Sequence, residues 1–367
     1  MDAAATDSAW LIKAAAEMAA KTKPLSSLGA LEHASLRLIL LQRCLKPRLV
    51  SATVCLFAAD HGIADSPVSH FPKVVTREML RNLSTGGAAI NAICNAHNLS
   101  LRITDVGVDT PEVFNGIITD KELSPNGTRS SLTSDSAMSN QQLDAAFQAG
   151  FTAAREVFSS SSDVSAIGIG ELGIGNTAVA SILLAAATGK SAEEVTGKGT
   201  GVEGDRYSLK VSIVAQVLEK HNHVIASSDW KLILQTMGGL EIAAMTATAV
   251  AVSRTPGKVL LVDGFISTVA FLYALLAFPD DARNLSRCAF LSHISAEQAT
   301  QIAMEAVHKI TDAFEGLAPL GRPLLDLGMR LGEGTGAALA FPILRAAAHI
   351  ASDMNTFAGA GVSESKE

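Results

Sequence analysis

The chain has 367 residues, 48% of them hydrophobic and 18% charged, with a formal net charge of -7. This length and apolar content predict a globular protein with a substantial buried core, built as one large domain or as a large and a small one. The negative charge and the lack of a tract rich in Lys and Arg argue against nucleic acid and against a polybasic membrane anchor as the natural partner.

The amino-terminal stretch MDAAATDSAWLIKAAAEMAAKTK has no uninterrupted apolar core and no Arg, so we expect neither a secretory signal nor a transit peptide. Apolar runs elsewhere are too short or too interrupted to span a bilayer. The four cysteines are far apart and form no C-x-x-C pair, which predicts neither a disulfide framework nor a zinc site. We therefore expect a cytoplasmic protein without a membrane span and without a bound metal.

Short apolar runs alternate with Ala- and Leu-rich stretches along most of the chain. The runs are rich in β-branched residues and end in polar or glycine-bearing turns, as buried strands do. Alternation of this kind predicts an α/β fold with a mainly parallel sheet and helices on both faces. In chain order, the five strand runs are TVCLFAADHG, LRITDVGVD, VSAIGIGE, KVLLVDGF and CAFLSHIS, and the helical runs include GGAAINAICNAHN, TAVASILLAAATG, GLEIAAMTATAVAVSR and STVAFLYALLAF.

The two ends of the chain carry helix-period patterns, such as LGALEHASLRLILLQRCL and GAALAFPILRAAAHIASDM, without strand runs between them. We expect residues 1–45 and 320–367 to form a small helical domain together, and residues 46–319 to form the large α/β domain. Within the large domain, the polar segment 120–140 predicts a long loop.

Polar residues follow the predicted strands, and acidic ones predominate among them. In an open parallel sheet, ligands bind outside the carboxyl ends of the strands, so a row of carboxylates there suggests a polar, hydroxylated substrate. The histidines in the row are interpreted as hydrogen-bonded structural residues, and Asp263 as either a ribose contact or a cap of the next helix. The row consists of Asp60, His61, Asp105, Asp109, Glu171, Asp263, His293 and Ser295.

The stretch GIGELGIGNTAV, residues 168–179, contains the pattern G-x-G-x-x-G between a strand run and a helical run. Such glycines let backbone N–H groups approach a phosphate at a helix start, as in dinucleotide-binding folds. Those folds also need a second strand carrying an acidic residue about 20 residues further on. Here the helix leads into KSAEEVTGKGTG, which is polar and glycine-rich, so a dehydrogenase that binds NAD is disfavoured.

Two glycine loops in succession, GIGNT and GKGTG, still favour binding of a phosphate group. Backbone N–H groups of such loops, together with a nearby lysine, form a cradle for a phosphomonoester. The Walker pattern G-x-x-x-x-G-K-[ST] is absent, which disfavours a P-loop nucleotide hydrolase. The alternative is that the glycines only allow tight turns and close packing of helices. The candidate residues are Gly173, Gly175, Asn176, Thr177, Gly199, Thr200, Gly201 and Lys210.

A third loop, LGEGTG, holds Glu333 between Gly332 and Gly334 and leads into a helical run. A glutamate at a helix start is stabilised by the helix dipole, which is a sufficient structural reason for its presence. The flanking glycines, however, leave its carboxylate open to whatever fills the cleft, which makes Glu333 a candidate catalytic group.

Long motifs in one order, from about residue 25 to 357, resemble the nicotinate-nucleotide:dimethylbenzimidazole phosphoribosyltransferase family. The resemblance implies transfer of 5-phosphoribose from nicotinate mononucleotide to 5,6-dimethylbenzimidazole in assembly of the cobalamin lower ligand. It also implies a Rossmann-like large domain, a homodimer and no cofactor. The motifs are AADHGIADSPVSHFPKVVTREMLRNLSTGGAAINAI, GIGELGIGNTAVASILLAAATG, GKGTGVEGDRYSLK, GGLEIAAM, VLLVDGFISTVAFL, SHISAE and PLLDLGMRLGEGTGAALAFPILRAA.

By motif match, the resemblance implies that Glu333 is the catalytic base and that Glu171 is a second important acid near the ribose phosphate. The two glycine loops and Lys210 match the segments that bind the nucleotide, whereas the wall of the acceptor base comes from an earlier segment. The expected wall residues are Ser69 and the stretch through Thr76 and Arg77, and Asp263 and Gly332 complete the expected substrate contacts.

The residue types agree with this chemistry, because nicotinate mononucleotide carries a cationic pyridinium and needs no acid to leave. One base suffices to remove the N–H proton of the acceptor. Arg77 departs from the glutamine expected there, and an arginine only donates hydrogen bonds, so adenine, a plain benzimidazole or a phenolic acceptor stay open. A catalytically inactive nucleotide-binding homologue is a further alternative, although such a protein would be expected to lose Glu333 or a phosphate loop.

Overall fold

Within the part of the chain that the structure describes, six parallel strands form one central sheet. The structure is a computed structural model that describes residues 3–199, 201 and 203–363, and Thr200 of the second glycine loop lies outside the described residues. The strands are β1 Ser51–Ala59, β2 Ser100–Gly107, β3 Ile117–Thr119, β4 Val164–Leu172, β5 Val259–Val262 and β6 Ala289–Leu291. Their spatial order is β3-β2-β1-β4-β5-β6, and every neighbouring pair is parallel.

Helices cover both faces of this sheet. Before β4 they are α1 Ala3–Ala19, α2 Ala30–Gln42, α3 Val74–Ser84, α4 Ala89–His97 and α5 Asn140–Ser160. Between β4 and β5 they are α6 Asn176–Thr188, α7 Ala192–Val195, α8 Asp205–Lys220, α9 Asn222–Ala226, α10 Trp230–Met237 and α11 Leu240–Ser253. After β5 they are α12 Phe265–Ala277, α13 Ala282–Cys288, α14 Thr300–Thr311, α15 Thr335–Asp353 and α16 Phe357–Ala360, and short 3-10 turns occur at Gly62–Asp65 and Pro279–Asp281.

The predicted α/β class and all five predicted strands are confirmed, and residues 120–139 form turns and loop as expected. Strand β3 was not predicted, because three residues in a polar segment are too few to show a period. The chain order of the strands reverses between β1 and β4. This is the Rossmann arrangement, in which a crevice forms at the carboxyl ends of the two strands that flank the reversal.

The side chains of β1 alternate between two cores, one on each face of the sheet. Cys55 and Phe57 join the core that α5, α6, α11 and α12 build on one face, whereas Val54 and Leu56 join the core that α2, α4 and α15 build on the other. Because helices cover both faces, alternate residues are buried equally, and the strands have continuous apolar sequences.

The helices from the two chain ends pack against each other. A small apolar cluster of α1, α2 and α15 includes Met18, Ile39 and Ala351, while Leu38 of α2 and Phe341 of α15 belong to the core against the sheet. The division into a terminal helical domain and a large domain therefore stays a prediction. In the described ranges, no single helix is long and apolar enough to cross a membrane, and only the bent pair formed by α12 and the segment Pro279–Cys288 meets that criterion, by length and composition alone.

The glycines of the G-x-G-x-x-G pattern allow close packing around β4. A Cβ atom on Gly170 would lie 2.4 Å from the backbone nitrogen of Gly334, and one on Gly173 would lie 2.4 Å from the carbonyl oxygen of Ala59. After α6, the described residues up to β5 form helices and loops, so the second strand of a dinucleotide fold does not follow. The geometry favours the packing explanation of this pattern over a dinucleotide site.

We expect Gly170→Ala to lower the free energy of unfolding by about 3 kcal/mol, because backbone atoms cannot move away from the new methyl group as a flexible side chain would. The matched control is Gly116→Ala, where the new Cβ meets nothing within 4 Å but φ is 75°, and where backbone strain alone costs about 1 kcal/mol. Urea unfolding followed by circular dichroism measures both. Equal losses in the two variants would contradict the packing explanation.

Candidate active site

A cavity of about 640 Å³ opens beyond the carboxyl ends of β4 and β5, beside the reversal of strand order. It brings together the three glycine loops that the sequence singled out. Another cavity, of about 700 Å³, lies at the amino ends of the strands and is lined by other residues. The predicted site residues that line the first cavity are Glu171, Gly173, Asn176, Thr177, Gly199, Asp263, Gly332 and Glu333.

Glu171 lies at the end of β4 and is buried at the base of the cavity. Its Oε2 accepts a hydrogen bond from Nδ2 of Asn176, so Asn176, which is predicted to bind the nucleotide and lines the cavity, also holds this carboxyl group. Burial raises the pKa of Glu171 well above its usual range, and the nearby carboxylates of Asp263, Glu241 and Glu333 add to the effect. The electrostatic environment of the protein alone therefore favours the protonated form of Glu171.

Glu333 has a left-handed backbone with φ of 60°, between Gly332 at 86° and Gly334 at 77°. Its carboxylate accepts a hydrogen bond from the backbone N–H of Ile90, in the first turn of α4. The other oxygen, Oε2, is buried but has no hydrogen-bond partner among the described residues. Burial and the negative charge of Asp263 raise the pKa of Glu333, although the bond from Ile90 opposes them. A non-glycine residue with a left-handed backbone is strained. The surrounding structure must therefore hold Glu333 and its carboxylate in this position.

Asp263, directly after β5, fixes the LGEGTG loop. Its Oδ1 accepts hydrogen bonds from the backbone nitrogens of Gly336 at 2.7 Å and Ala337 at 3.1 Å, and its Oδ2 accepts one from Gly334 at 3.1 Å. It therefore caps α15, a distant helix, and not α12, which follows it in the chain. His293 also lines the cavity, with Nε2 3.6 Å from Oδ1 of Asp263. The expected hydrogen bonds of His293 do not occur to any described residue.

The two predicted phosphate loops meet at Lys210. Its buried Nζ donates to Oγ1 of Thr177 at 3.1 Å and to the carbonyl oxygen of Gly197 at 2.9 Å. A Cβ atom on Gly199 would lie 3.0 Å from the same Nζ. Loss of hydration on burial lowers the pKa of Lys210 to about 8. Gly175, with φ of 97°, is the N-cap of α6 and turns Thr177 into the cavity.

Two charged residues of the cavity were missed by the sequence analysis. Arg330 donates from Nη1 to the carbonyl oxygen of Gly199 at 2.8 Å, and Glu297 accepts from the backbone nitrogen of Gly199 at 3.2 Å. Both lie in recognised motifs: Arg330 is three residues before Glu333, and Glu297 is the last residue of SHISAE. Nothing local in the sequence indicates that they meet a loop about a hundred residues away, since the contact depends on the tertiary fold.

Ser69 and Gly201 lie outside the cavity lining but support it. Ser69 Oγ accepts a hydrogen bond from the backbone nitrogen of Phe71 at 3.1 Å, and Phe71 does line the cavity. The carbonyl oxygen of Gly201 lies 2.8 Å from Nε2 of His70, which ties the segment before α3 to the second glycine loop. Thr200 lies outside the described residues, so its predicted contact stays a prediction.

Arg77 does not line the cavity. Its Nε lies 3.9 Å from Oε1 of Glu112, on the side of α3 that faces away from the cavity. The residues of α3 that line the cavity are Val75 and Met79, one helical turn apart. Thr76 is buried, and its Oγ1 accepts a hydrogen bond from the backbone nitrogen of Ile174. This arrangement gives no support to the expected contact between Arg77 and an acceptor base.

No group of three or more His, Cys, Asp or Glu side chains is arranged to hold a metal ion in the ranges the structure describes. The cavity instead has carboxylates at one end, where Glu171 and Glu333 meet around Gly332. At the second glycine loop, the two cations Lys210 and Arg330 outnumber the single carboxylate of Glu297. Such a separation of charge fits a ligand that carries a positive charge and a phosphate.

Comparison with known proteins agrees with this arrangement. A family model described as phosphoribosyltransferase matches residues 3–362. The chain belongs to this family. The nicotinate-nucleotide--dimethylbenzimidazole phosphoribosyltransferase of Cupriavidus taiwanensis is 40% identical over 344 residues, which cover 94% of this chain and 92% of that protein. The protein of the same name from Nitratidesulfovibrio vulgaris is 35% identical over 363 residues, which cover 98% of this chain and 96% of that one.

A solved structure extends the similarity to the fold. The crystal structure of CobT from Thermus thermophilus superposes with a TM-score of 0.86 at 35% sequence identity, covering 97% of this chain and 99% of that chain. The family membership and the Rossmann-like fold that the sequence motifs implied are therefore confirmed. The roles of individual residues remain predictions.

The pKa of about 8 for Lys210 predicts a pH-dependent affinity for phosphate. Lys210 is cationic below that value and neutral above it, so raising the pH from 7 to 9 removes the charge that attracts a phosphate dianion. We expect the Kd for ribose 5-phosphate to rise about tenfold over this range. Isothermal titration calorimetry at several pH values measures the change.

Lys210→Met should bind ribose 5-phosphate weakly and with little dependence on pH. The control is Lys258→Met, because Lys258 lies at the amino ends of the strands, where its Nζ donates to the carbonyl oxygen of Val164. If the Kd of Lys210→Met for ribose 5-phosphate depends on pH as strongly as that of the parental protein, this lysine does not contribute charge to phosphate binding.

Proposed function

We propose that this chain transfers 5-phosphoribose from nicotinate mononucleotide to 5,6-dimethylbenzimidazole, giving α-ribazole 5'-phosphate and nicotinate for the cobalamin lower ligand. The names of its relatives at 35–40% identity over nearly the whole chain support this reaction. The structural observation that carries the proposal is Oε2 of Glu333, a buried carboxylate oxygen that lines the cavity and lacks a hydrogen-bond partner in the described chain.

In the proposed reaction, Glu333 removes the N–H proton of the acceptor while the other ring nitrogen attacks the anomeric carbon of the ribose. The bond between that carbon and the pyridinium nitrogen breaks, and its electron pair neutralises the leaving ring. Attack from the opposite face converts the β-glycosidic configuration to α. The raised pKa of Glu333 suits a base that works near neutral pH, because a more basic carboxylate accepts the proton more readily.

Glu171 stabilises positive charge in this scheme. Its pKa is raised well above its usual range in the protein alone, first by burial and then by neighbouring carboxylates. The cationic pyridinium of the donor favours the anionic form, so the donor brings the charge that Glu171 requires. The anion then stabilises positive charge that develops on the ribose as the pyridinium leaves. Asn176, which donates to Glu171, holds the carboxylate in place.

The phosphate of the donor is proposed to lie between the first turn of α6 and the second glycine loop. Thr177 and Gly199 line the cavity there, and the positive end of the α6 dipole attracts phosphate. Lys210 lies behind them, and Arg330 extends from the opposite loop. Fixing the phosphate orients the ribose, which is worth several kcal/mol in favourable cases.

The acceptor is proposed to be a benzimidazole-type base, because the remaining wall of the cavity is apolar. An adenine would bring an exocyclic amine against this wall without a partner, which is costly, whereas the methyl groups of dimethylbenzimidazole would be buried favourably. The wall is formed by Phe71, Val75, Met79, Leu172, Ile174, Phe265, Ile266 and Leu331.

A homodimer and a cytoplasmic location complete the proposal. The homodimer is implied by the family resemblance. Both remain predictions.

Glu333→Gln should lower kcat/KM for nicotinate release about a thousandfold, because the isosteric amide cannot accept a proton. The Kd for nicotinate mononucleotide should change little, because Glu333 acts on the acceptor base and not on the donor. Nicotinate release is followed by chromatography with dimethylbenzimidazole as acceptor. The control, Glu305→Gln, alters an exposed glutamate on α14 and should behave as the parent.

A release rate in Glu333→Gln within threefold of the parent would remove Glu333 from the mechanism. If the parental protein binds nicotinate mononucleotide but releases no nicotinate with any base, the alternative of a non-catalytic nucleotide-binding homologue replaces the proposed transferase.

Arg77→Gln should leave the preference for dimethylbenzimidazole over adenine unchanged within threefold, because Arg77 faces Glu112. Val75→Thr, on the same helix but in the cavity lining, should lower that preference about fivefold, since it puts a hydroxyl group against the ring. The measurement is the ratio of kcat/KM for the two bases. A larger change in Arg77→Gln than in Val75→Thr would mean that Arg77 contacts the acceptor.

A further inference from the structure

A buried ion pair lies behind the cavity, in a position that the proposed reaction does not use. His61, the second residue after β1, and Glu241, the second residue of α11, are both fully buried, with Nε2 of His61 2.9 Å from Oε1 of Glu241. Burying a charged pair costs hydration free energy that its mutual attraction barely offsets. A pair in this place therefore needs a further reason beyond stability.

The pair is packed against the turn that follows Glu171. A Cβ atom on Gly173 would lie 3.1 Å from Nε2 of His61, and a Cβ atom on Gly239 would lie 2.4 Å from Cε1 of His61 and 2.8 Å from Oε2 of Glu241. The imidazole is thus in contact with the backbone two residues after Glu171. Movement of the ring would move the strand end that carries the carboxyl group.

The charges around the pair are almost all negative. The groups that face the imidazole are Glu241 from α11 and Asp60 from the end of β1, and the charge of Glu241 also acts on Glu171. Burial disfavours the charged imidazole, but the carboxylates of Glu241 and Asp60 outweigh it and raise the pKa of His61. Lys73 acts on Asp60 from the far side. The two carboxylates thus favour the cationic form of His61, next to Glu241, whose charge reaches Glu171.

We infer that His61 and Glu241 are positioning residues for Glu171: they hold its turn, and the balance of their two charges decides whether Glu171 is anionic when the donor binds. This inference rests on the proposed function. With both charges present, the pair is neutral and permits the anion. Without the imidazolium, the uncompensated charge of Glu241 opposes a second carboxylate nearby. Without Glu241, the charge of Asp60 still favours the imidazolium, which then stabilises the anion of Glu171.

Two single variants should shift the acidic limb of the kcat/KM profile in opposite directions. In His61→Asn, which keeps a hydrogen-bond donor, the limb should move up by about one pH unit, because Glu171 ionises less readily beside an uncompensated Glu241. In Glu241→Gln, the limb should move down. The double variant should return close to the parental limb. The control is His223→Asn, an exposed histidine in α9.

If the pair has only a structural role, the variants should have lower activity or a lower Tm. The acidic limb should not then move in opposite directions in the two variants. That result, in folded variants, would overturn the inference. If His61→Asn fails to fold, Glu241→Gln alone decides, because only the charge argument predicts a downward shift.

The Kd of nicotinate mononucleotide as a function of pH separates this inference from the proposed reaction. The cationic pyridinium binds best beside anionic Glu171, so the Kd has the same acidic limb whether or not turnover occurs. If the parental protein shows no turnover but the two variants still shift the acidic limb of the Kd in opposite directions, the proposed transferase is refuted and the positioning role stands. Normal turnover with unshifted limbs would refute the positioning role alone.

Discussion

The direct contact between the backbones of Gly170 in β4 and Gly334 in the LGEGTG loop is the constraint on which the site depends. There is no room for a side chain at Gly170, so the loop rests on the strand itself. Asp263, at the end of the neighbouring strand, accepts three backbone hydrogen bonds from the same loop and the start of α15. The carboxylate of Glu333 is therefore positioned by two buried neighbouring strands, β4 and β5, although it lies in a loop.

The second property of the site is its uneven charge. Glu171, Asp263 and Glu333 share a buried region in which Asp263 raises the pKa of both glutamates and Glu333 raises that of Glu171, while Lys210 and Arg330 contact the second glycine loop. Buried carboxylates in such proximity are destabilising unless a cation joins them. The fold accepts this cost at the cavity, and the proposed donor, with a pyridinium at one end and a phosphate at the other, matches the charge at both ends.

The fold could be predicted from the sequence to a large extent, because buried parallel strands and the helices between them have strong periodic patterns. The exception was β3, which is too short to show a period. The candidate site could be predicted where a residue lies in or next to a recognisable glycine loop, as Glu333 and Glu171 do. Orientation on an element is harder to predict: Arg77 was assigned to the acceptor wall, whereas its neighbours Val75 and Met79 face the cavity. Arg330 and the partners of Asp263 depend on contacts between distant segments, which no local pattern records.

The cluster of carboxylates also has a bearing on how the leaving base departs. In the proposed donor, the pyridinium charge balances the carboxylate of the nicotinate ring, so the ring is neutral overall and its cationic nitrogen is drawn toward Glu171. Cleavage of the glycosidic bond removes that cation and leaves a nicotinate anion among like charges. The carboxylates that attract the donor would therefore repel the nicotinate product and oppose its rebinding. This repulsion would favour the forward transfer and would require no conformational change.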